Sequence, residues 1–182
     1  CKLMSIDRVY MDSCCFIESI KSTIGNAQPD RQNDLWYIQS LLKASKNGEV
    51  EVITSYLTIA ECKHAKDGNP TPSDETKRLI KSILSSGRVV KLAQLTKGVA
   101  EKARDLHWDF EINLSGADSI HVATALITGC KEFITFDYNR KKSPIGYFAE
   151  LKQLGLNAIE PSNTLLLPAT YLQNELFEKK ES

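Results

Sequence analysis

Residues 114–137, LSGADSIHVATALITGCKEFITFD, decide how this chain folds. Ser115 is a good helix N-cap and Asp118 lies three residues on, in the first turn. Ile120, Val122, Ala123, Ala125, Leu126 and Ile127 then leave almost no polar face, which predicts a helix covered on most sides. Gly129 ends it in the C-cap position. Phe133, Ile134 and Phe136 form a short apolar strand that stops at Asp137. A doubly wound sheet binds its ligands just beyond the carboxyl ends of its strands. An acid in that place is more suggestive than an acid on an exposed helix.

Outward from this unit, helices and strands alternate. Towards the amino terminus, the apolar run RVYM at 8–11 ends at Asp12 and Ser13, and a helix starts over 14–20. Gly25, Asn26 and Pro29 break it. Leu35, Ile38, Leu41 and Leu42 stand at helical spacing within 30–46, and Asn47-Gly48 turns the chain into a strand over 50–54. Ser55 can cap the next helix, which carries Leu57, Ile59, Ala60 and Glu61. Thr71-Pro72 marks a helix start, with Asp74 and Glu75 suiting its first turn, and that helix runs through Leu84 to Gly87. A strand over 89–92 follows, then a helix from about Thr96 carrying Val99, Ala103 and Leu106. Towards the carboxyl terminus, Pro144 precedes a helix through Phe148 and Leu151, and residues 157–159 form a last strand. Such alternation implies βαβ units and a mainly parallel sheet. Residues 1–160 make one domain, and 161–182 an extension in which Leu165 to Leu167 can pack.

Composition narrows the function classes. The chain has 182 residues, 42% apolar and 25% charged, which suits one domain with a full-sized core. With 23 basic and 23 acidic residues, net charge points to neither nucleic acid nor a membrane surface, so nucleic-acid binding would need a local basic patch or metal ions. No apolar run approaches the roughly 20 residues of a membrane span, and no signal peptide is visible. Five cysteines, at 1, 14, 15, 62 and 130, are odd in number and lack zinc-type spacing; reduced thiols in a cytoplasmic protein are the simplest expectation. The chain opens at Cys1 rather than Met, so its true start is expected to be missing or altered.

Asp12 follows the first strand, Glu61 lies on the helix after the second, and Asp137 ends the FITF strand. Asp118 opens the helix before that strand. In a parallel sheet these positions can converge at one edge. Four carboxylates held together raise one another's pKa values, and divalent cations remove that conflict. Oxygen-rich sites suit Mg²⁺ or Mn²⁺, which can activate water and stabilise the leaving oxygen in phosphodiester hydrolysis. Each acid alone has a plainer reading. Asp118 can complete an S-x-x-D cap with Ser115. Asp12 and Asp137 can be turn or cap residues, and Glu61 a solvated helix residue.

Three segments, VYMDSCCFI, TSYLTIAEC and GADSIHVATALITGCKEFITFDYN, agree in order and approximate spacing with the PIN-domain family, which includes the VapC-type toxins of prokaryotic toxin–antitoxin pairs. The chain resembles that family over roughly residues 8–160. The resemblance implies a three-layer α/β/α sandwich and Mg²⁺- or Mn²⁺-dependent cleavage of single-stranded or structured RNA. It places the metal-binding, catalytic acids on Asp12, Glu61, Asp118 and Asp137, with Ser13, Thr135 and Asn139 in support. It also implies an antitoxin protein and a second copy of the chain as partners, and no membrane. The chain is longer than many such toxins, with a roomy section at 63–72 and the stretch after Pro161.

Other residues are weighed beside these. Arg140, Lys141 and Lys142 follow Asp137 and can meet RNA phosphates, although three consecutive basic residues usually form a solvated loop. Lys63, His64 and Lys66 have the same two readings. His121, three residues after Asp118, reads as a packed, hydrogen-bonded histidine rather than a catalytic base. Cys14, Cys15 and Cys62 lack a positioned base and read as packing residues. Trp36, Tyr37 and Trp108 can stack on bases, but core or dimer-interface roles are the more common use of such rings. The alternatives to a metal nuclease are a non-catalytic PIN-like module that binds RNA or protein, and a phosphatase or other Asp-dependent hydrolase on a similar sheet.

Overall fold

The computed structural model describes residues 6–63, 70–137 and 141–178. Five short strands form one sheet: β1 (Arg8–Met11), β2 (Glu51–Ser55), β3 (Lys91–Ala93), β4 (Glu132–Ile134) and β5 (Asn157–Ile159). Every pairing is parallel and the order is β3-β2-β1-β4-β5. Helices α1 (Ser13–Thr23), α2 (Gln32–Lys46), α3 (Tyr56–Glu61) and α4 (Asp74–Leu84) come between the first three strands. Helices α5 (Lys97–Phe110) and α6 (Gly116–Ile127) join β3 to β4, α7 (Phe148–Gln153) joins β4 to β5, and α8 (Ala169–Glu178) follows the sheet.

The two-residue period of the strands sorts their side chains into two cores. Val9, Met11, Val52 and Ile134 face one side, where they meet Phe16 and Ile17 of α1, Leu35, Ile38 and Leu41 of α2, and Leu84 of α4. Tyr10, Ile53, Phe133 and Ala158 face the other, against Val99, Ala103 and Leu106 of α5, Val122, Ala123 and Ala125 of α6, and Leu151 of α7. The sheet is therefore buried on both faces, as parallel sheets are, and the result is the three-layer α/β/α sandwich.

From β1 the chain moves outward one way to β2 and β3, then returns to the other side of β1 for β4 and β5. Its helices change face at the same point. The crevice beyond the carboxyl ends of β1 and β4 is thus the topological switch point, where open α/β sheets place ligands.

Element boundaries depart from the sequence expectation where a side chain takes over a backbone bond. The fourth helix starts after Ser73 rather than Thr71, because the Ser73 hydroxyl accepts the Thr76 N–H at 3.1 Å. β3 begins two residues late because the Val89 carbonyl accepts the Ser45 hydroxyl at 2.6 Å. β4 stops at Ile134 rather than Asp137, because the Thr135 hydroxyl oxygen accepts the Asp137 N–H at 3.1 Å and turns the chain. Around Gly129 (φ 72°) the end of α6 closes as foreseen, with the Cys130 N–H reaching the Ala125 carbonyl at 2.9 Å. That helix is less covered than its composition suggests: Ile127 is 51% exposed.

The segment after Pro161 docks on the domain. Asp34 accepts the Ser162 N–H at 2.9 Å, Leu167 is buried in the α1–α2 core, and the Tyr171 hydroxyl donates to Glu49 at 3.0 Å. Among the described residues, no helix is long and apolar enough to cross a membrane.

Candidate functional site

Asp12 sits at the switch point, where β1 gives way to α1. Its own N–H continues the ladder to the Ile134 carbonyl at 3.0 Å, so the strand pairing fixes its backbone. The residue is only 7% exposed. One oxygen accepts the Ser13 N–H at 2.7 Å, which caps α1. The other accepts the Thr135 hydroxyl at 2.9 Å and the Cys14 thiol at 3.5 Å. Thr135 therefore links two acids, donating to Asp12 and accepting the N–H of Asp137.

Glu61 is the last residue of α3, which Ser55 caps by accepting the Leu57 N–H at 3.1 Å. Its Oε2 lies 2.7 Å from His121 Nε2, across 60 residues of sequence. His121 is 1% exposed; its Nδ1 lies 2.6 Å from the Tyr10 hydroxyl and its Nε2 3.9 Å from Asp12 Oδ1. One oxygen each from Asp12 and Glu61 and one ring nitrogen of His121 all lie within 4.8 Å of one another, a spacing that can surround a metal ion.

Asp118 lies one turn before His121 on α6. Ser115 both accepts its N–H at 3.1 Å and donates to its Oδ2 at 2.7 Å, so the cap is real. Cap and site are not exclusive here. Asp118 and Asp137 line one recess of about 340 Å³ together with Asn113, Leu114, Ser115 and Lys142.

The electrostatics carry the mark of crowding. Burial pushes the Asp12 carboxyl above its ordinary pKa; His121, the Thr135 hydroxyl and the Ser13 N–H oppose this, and the charge of Asp118 adds to it. Burial alone would lower the His121 imidazole, but the Glu61 hydrogen bond and the charges of Asp12, Glu61 and Asp118 outweigh it and raise the pKa. Like charges thus converge on a buried spot at the carboxyl edge of the sheet.

The structure brings Asp12 and Glu61 together and sets Asp118 beside Asp137. Ser13 meets Asp12 through its main chain, Thr135 through its hydroxyl. Lys142 lines the recess, and Lys141 and Lys63 are exposed. Asn139, Arg140, His64 and Lys66 lie outside the described residues. Cys14, Cys15 and Cys62 pack as expected, Cys14 against Asp12 and Thr135 and Cys62 with its thiol towards the Ser13 carbonyl. Trp36 and Tyr37 meet edge to face at 4.9 Å against the α1–α2 core. Trp108 is not a core residue: it is 67% exposed, with the Arg104 guanidinium 4.3 Å over its ring.

His121 is the residue whose place sequence reasoning undervalued. It is packed and hydrogen-bonded, as expected, but its partners are site residues. Its position one turn after Asp118, on the same side of one helix, was the available signal.

A family model described as PIN domain matches residues 10–143. No curated protein matches the sequence. Among solved structures, VapBC2 from Rickettsia felis bound to a DNA fragment from its promoter aligns with a TM-score of 0.57 at 11% identity, covering 84% of this chain and 98% of that one. FitAB bound to an IR36 DNA fragment aligns with a TM-score of 0.52 at 14% identity, covering 86% and 96%. At such identities these two likenesses speak for the fold alone.

Proposed function

The chain belongs to the PIN-domain family, and on that premise we propose that it is a Mg²⁺- or Mn²⁺-dependent endoribonuclease acting on single-stranded or structured RNA. PIN domains are generally nucleases. The observation that carries the reading is the meeting of Asp12, Glu61 and His121 within 4.8 Å at the switch point, beside a recess lined by Asp118 and Asp137. The donor set suits a hard divalent cation, being dominated by carboxylate oxygens. Asp12, Glu61, Asp118 and Asp137 are the residues that would hold it. When bound, such an ion neutralises phosphate charge and promotes attack by water on phosphorus.

The chain's own groups prepare that chemistry. Ser13 N–H and the Thr135 hydroxyl fix the Asp12 carboxylate from two sides. Through Thr135 the start of the loop after β4 is tied to Asp12, which sets Asp137 at the rim. Lys142, on that rim, supplies a cation for a substrate phosphate, a contact that gives affinity without reading sequence. Asn139 and Arg140, between Asp137 and Lys142 in sequence, belong to the same proposal by their place in the chain.

The family resemblance extends the reading to the toxin of a toxin–antitoxin pair, acting in the cytoplasm as a homodimer and held by an antitoxin protein. Induction of the wild-type chain alone would then arrest growth, and induction of Asp12→Asn would not. The deciding experiment is a Mn²⁺ titration followed by an RNA cleavage assay. Binding of Mn²⁺ with metal-dependent cleavage, lost in Asp12→Asn and Asp118→Asn, supports the proposal. No Mn²⁺ binding near neutral pH would leave a non-catalytic PIN-like binding module. Turnover of small phosphate esters but not RNA would point to a different hydrolase.

A further inference from the structure

Helix α3 has only six residues, yet it must hold Glu61 steady beside the carboxylate of Asp12. Both of its ends are tied to one buried pair. At its start, the N–H of the capping residue Ser55 donates to the Tyr10 hydroxyl at 3.0 Å. At its end, Glu61 Oε2 meets His121 Nε2 at 2.7 Å. Tyr10 and His121 bond to each other at 2.6 Å, closing the brace between strand β1, helix α3 and helix α6. Tyr10 is itself immobilised by stacking on Phe133, with centroids 5.1 Å apart and planes 7° from parallel.

We propose that His121, locked by Tyr10, is a positioning residue that clamps the Glu61 carboxylate for cation binding rather than a ligand of the cation. The proposal rests on the reading of Asp12 and Glu61 as metal-holding acids. An ionised carboxylate only accepts hydrogen bonds, so at 2.7 Å the proton lies on Nε2 and its lone pair is not free for a metal. Nδ1 is occupied by the Tyr10 hydroxyl on the other side of the ring. Both ring nitrogens are thus committed, and the imidazole plane is fixed. A histidine between a tyrosine and a carboxylate has the form of the outer partners that orient metal-binding acids, whose loss weakens metal binding without removing a ligand. Asp118 and His121 share one helix, so α6 supplies an acid to the recess and, one turn later, the clamp on a second acid.

The test titrates Mn²⁺ alone into the wild type, His121→Gln, His121→Leu and Tyr10→Phe by calorimetry, with thermal melts of the metal-free proteins. Nitrogen NMR of the His121 ring is recorded without metal and with Mg²⁺. A glutamine amide can donate from nearly the place of Nε2, so His121→Gln keeps Mn²⁺ affinity within about threefold, whereas His121→Leu loses about 10- to 100-fold. Tyr10→Phe falls between them. Nε2 stays protonated with Mg²⁺ bound. A folded His121→Leu that binds Mn²⁺ like the wild type overturns the clamp, as does His121→Gln weakened as much as His121→Leu. Loss of the Nε2 proton on adding Mg²⁺ would make His121 a ligand and overturn it too. Should the leucine variant fail to fold, the ring NMR and the glutamine variant carry the decision. A wild type that binds no Mn²⁺ brings down the underlying site reading, whereas the metal-free NMR reports the clamp by itself.

Discussion

The two ends of the sheet each bury a carboxylate and treat it in opposite ways. At the amino end, Glu132 opens β4 and is 3% exposed. It accepts the Thr164 hydroxyl at 2.6 Å and the Leu165 N–H at 2.8 Å, so the docked segment after Pro161 satisfies it. The acids around it are paired with cations: Glu51 with Arg8 at 2.8 Å and with Lys91, and Asp7 with Lys131. At the carboxyl end, Asp12 is equally buried, but its charged neighbours are Glu61 and Asp118 as well as His121. Burial raises the pKa of both carboxyls. A buried acid is therefore not by itself the mark of a site. Both acids accept hydrogen bonds; what separates the ends is that the neighbouring acids of Glu132 are paired with lysine or arginine, whereas Asp12 and Glu61 gather around a histidine with Asp118 close by.

The sharpest way to break this contrast is to neutralise one acid at each end. If Asp12 holds the cation as proposed, Asp12→Asn should lower RNA cleavage by about 10³-fold or more, since several kcal/mol of charge stabilisation are lost. The metal-free variant should melt no lower than the wild type, because a buried, crowded carboxylate has been replaced by a neutral amide. Cleavage at the wild-type rate in a clean preparation would remove Asp12 from the site. A large drop in melting temperature would show that Asp12 is structural, like Glu132.

Glu132→Leu is the reciprocal change. It strands the Leu165 N–H and the Thr164 hydroxyl and should cost about 1–3 kcal/mol. For a chain of this size each kcal/mol shifts the midpoint by about 2–4 °C. Cleavage should stay at the wild-type level. A loss of activity in a folded Glu132→Leu protein would mean that the ends are coupled and the contrast is false.

Much of this contrast was legible in the sequence, though unevenly. The alternation of helix and strand, the Ser115 cap, and the acids after three strands were readable because local patterning fixes them. A mainly parallel sheet also followed from the βαβ order; that every pairing is parallel and that the sheet turns about β1 emerged only in the structure. The start of β3 was not readable, because Ser45 takes a backbone carbonyl 44 residues away; β4 ends early by a local turn, in which the Thr135 hydroxyl accepts the Asp137 N–H, that hydrophobic patterning does not reveal. The Glu132 cap was invisible because its donors lie 32 and 33 residues away. His121 was visible as a packed histidine, but its partners at Tyr10 and Glu61 come from two other elements. Spacing placed the acids near one edge; it could not show which histidine braces them.

The pH dependence of stability separates the ends by a subtler effect. Both Asp12 and Glu132 have raised folded pKa values, so between the ordinary carboxylate range and those values the folded state holds protons that the unfolded chain has released. Stability then falls as pH rises through that window. Melted with a chelator from about pH 5 to about pH 8, the wild type should lose stability relative to Asp12→Asn, and likewise relative to Glu132→Gln. Mn²⁺ should reverse the first difference, because a cation binds the deprotonated form, and leave the second unchanged. A Mn²⁺ effect of equal size on both would show that the ion does not choose between the ends.

The smallest expected effect concerns the surface beside the acids. Lys142 is exposed but shares its recess with Asp118 and Asp137, whereas Lys131 and Lys91 at the other end are paired with Asp7 and Glu51. A lysine next to acids that a cation would neutralise is available to a phosphate; one already paired to a carboxylate is less so. Lys142→Ala should weaken RNA binding only a few-fold and lower the slope of log affinity against log salt by about 0.7, as the loss of one single-strand phosphate contact does. Lys131→Ala should change neither. Because the contact reads charge and not base identity, the loss should be uniform across RNA sequences. If Lys131→Ala flattened the salt dependence as much as Lys142→Ala, RNA would be bound by diffuse charge over the whole surface, and the carboxyl end would have no claim to be where it docks.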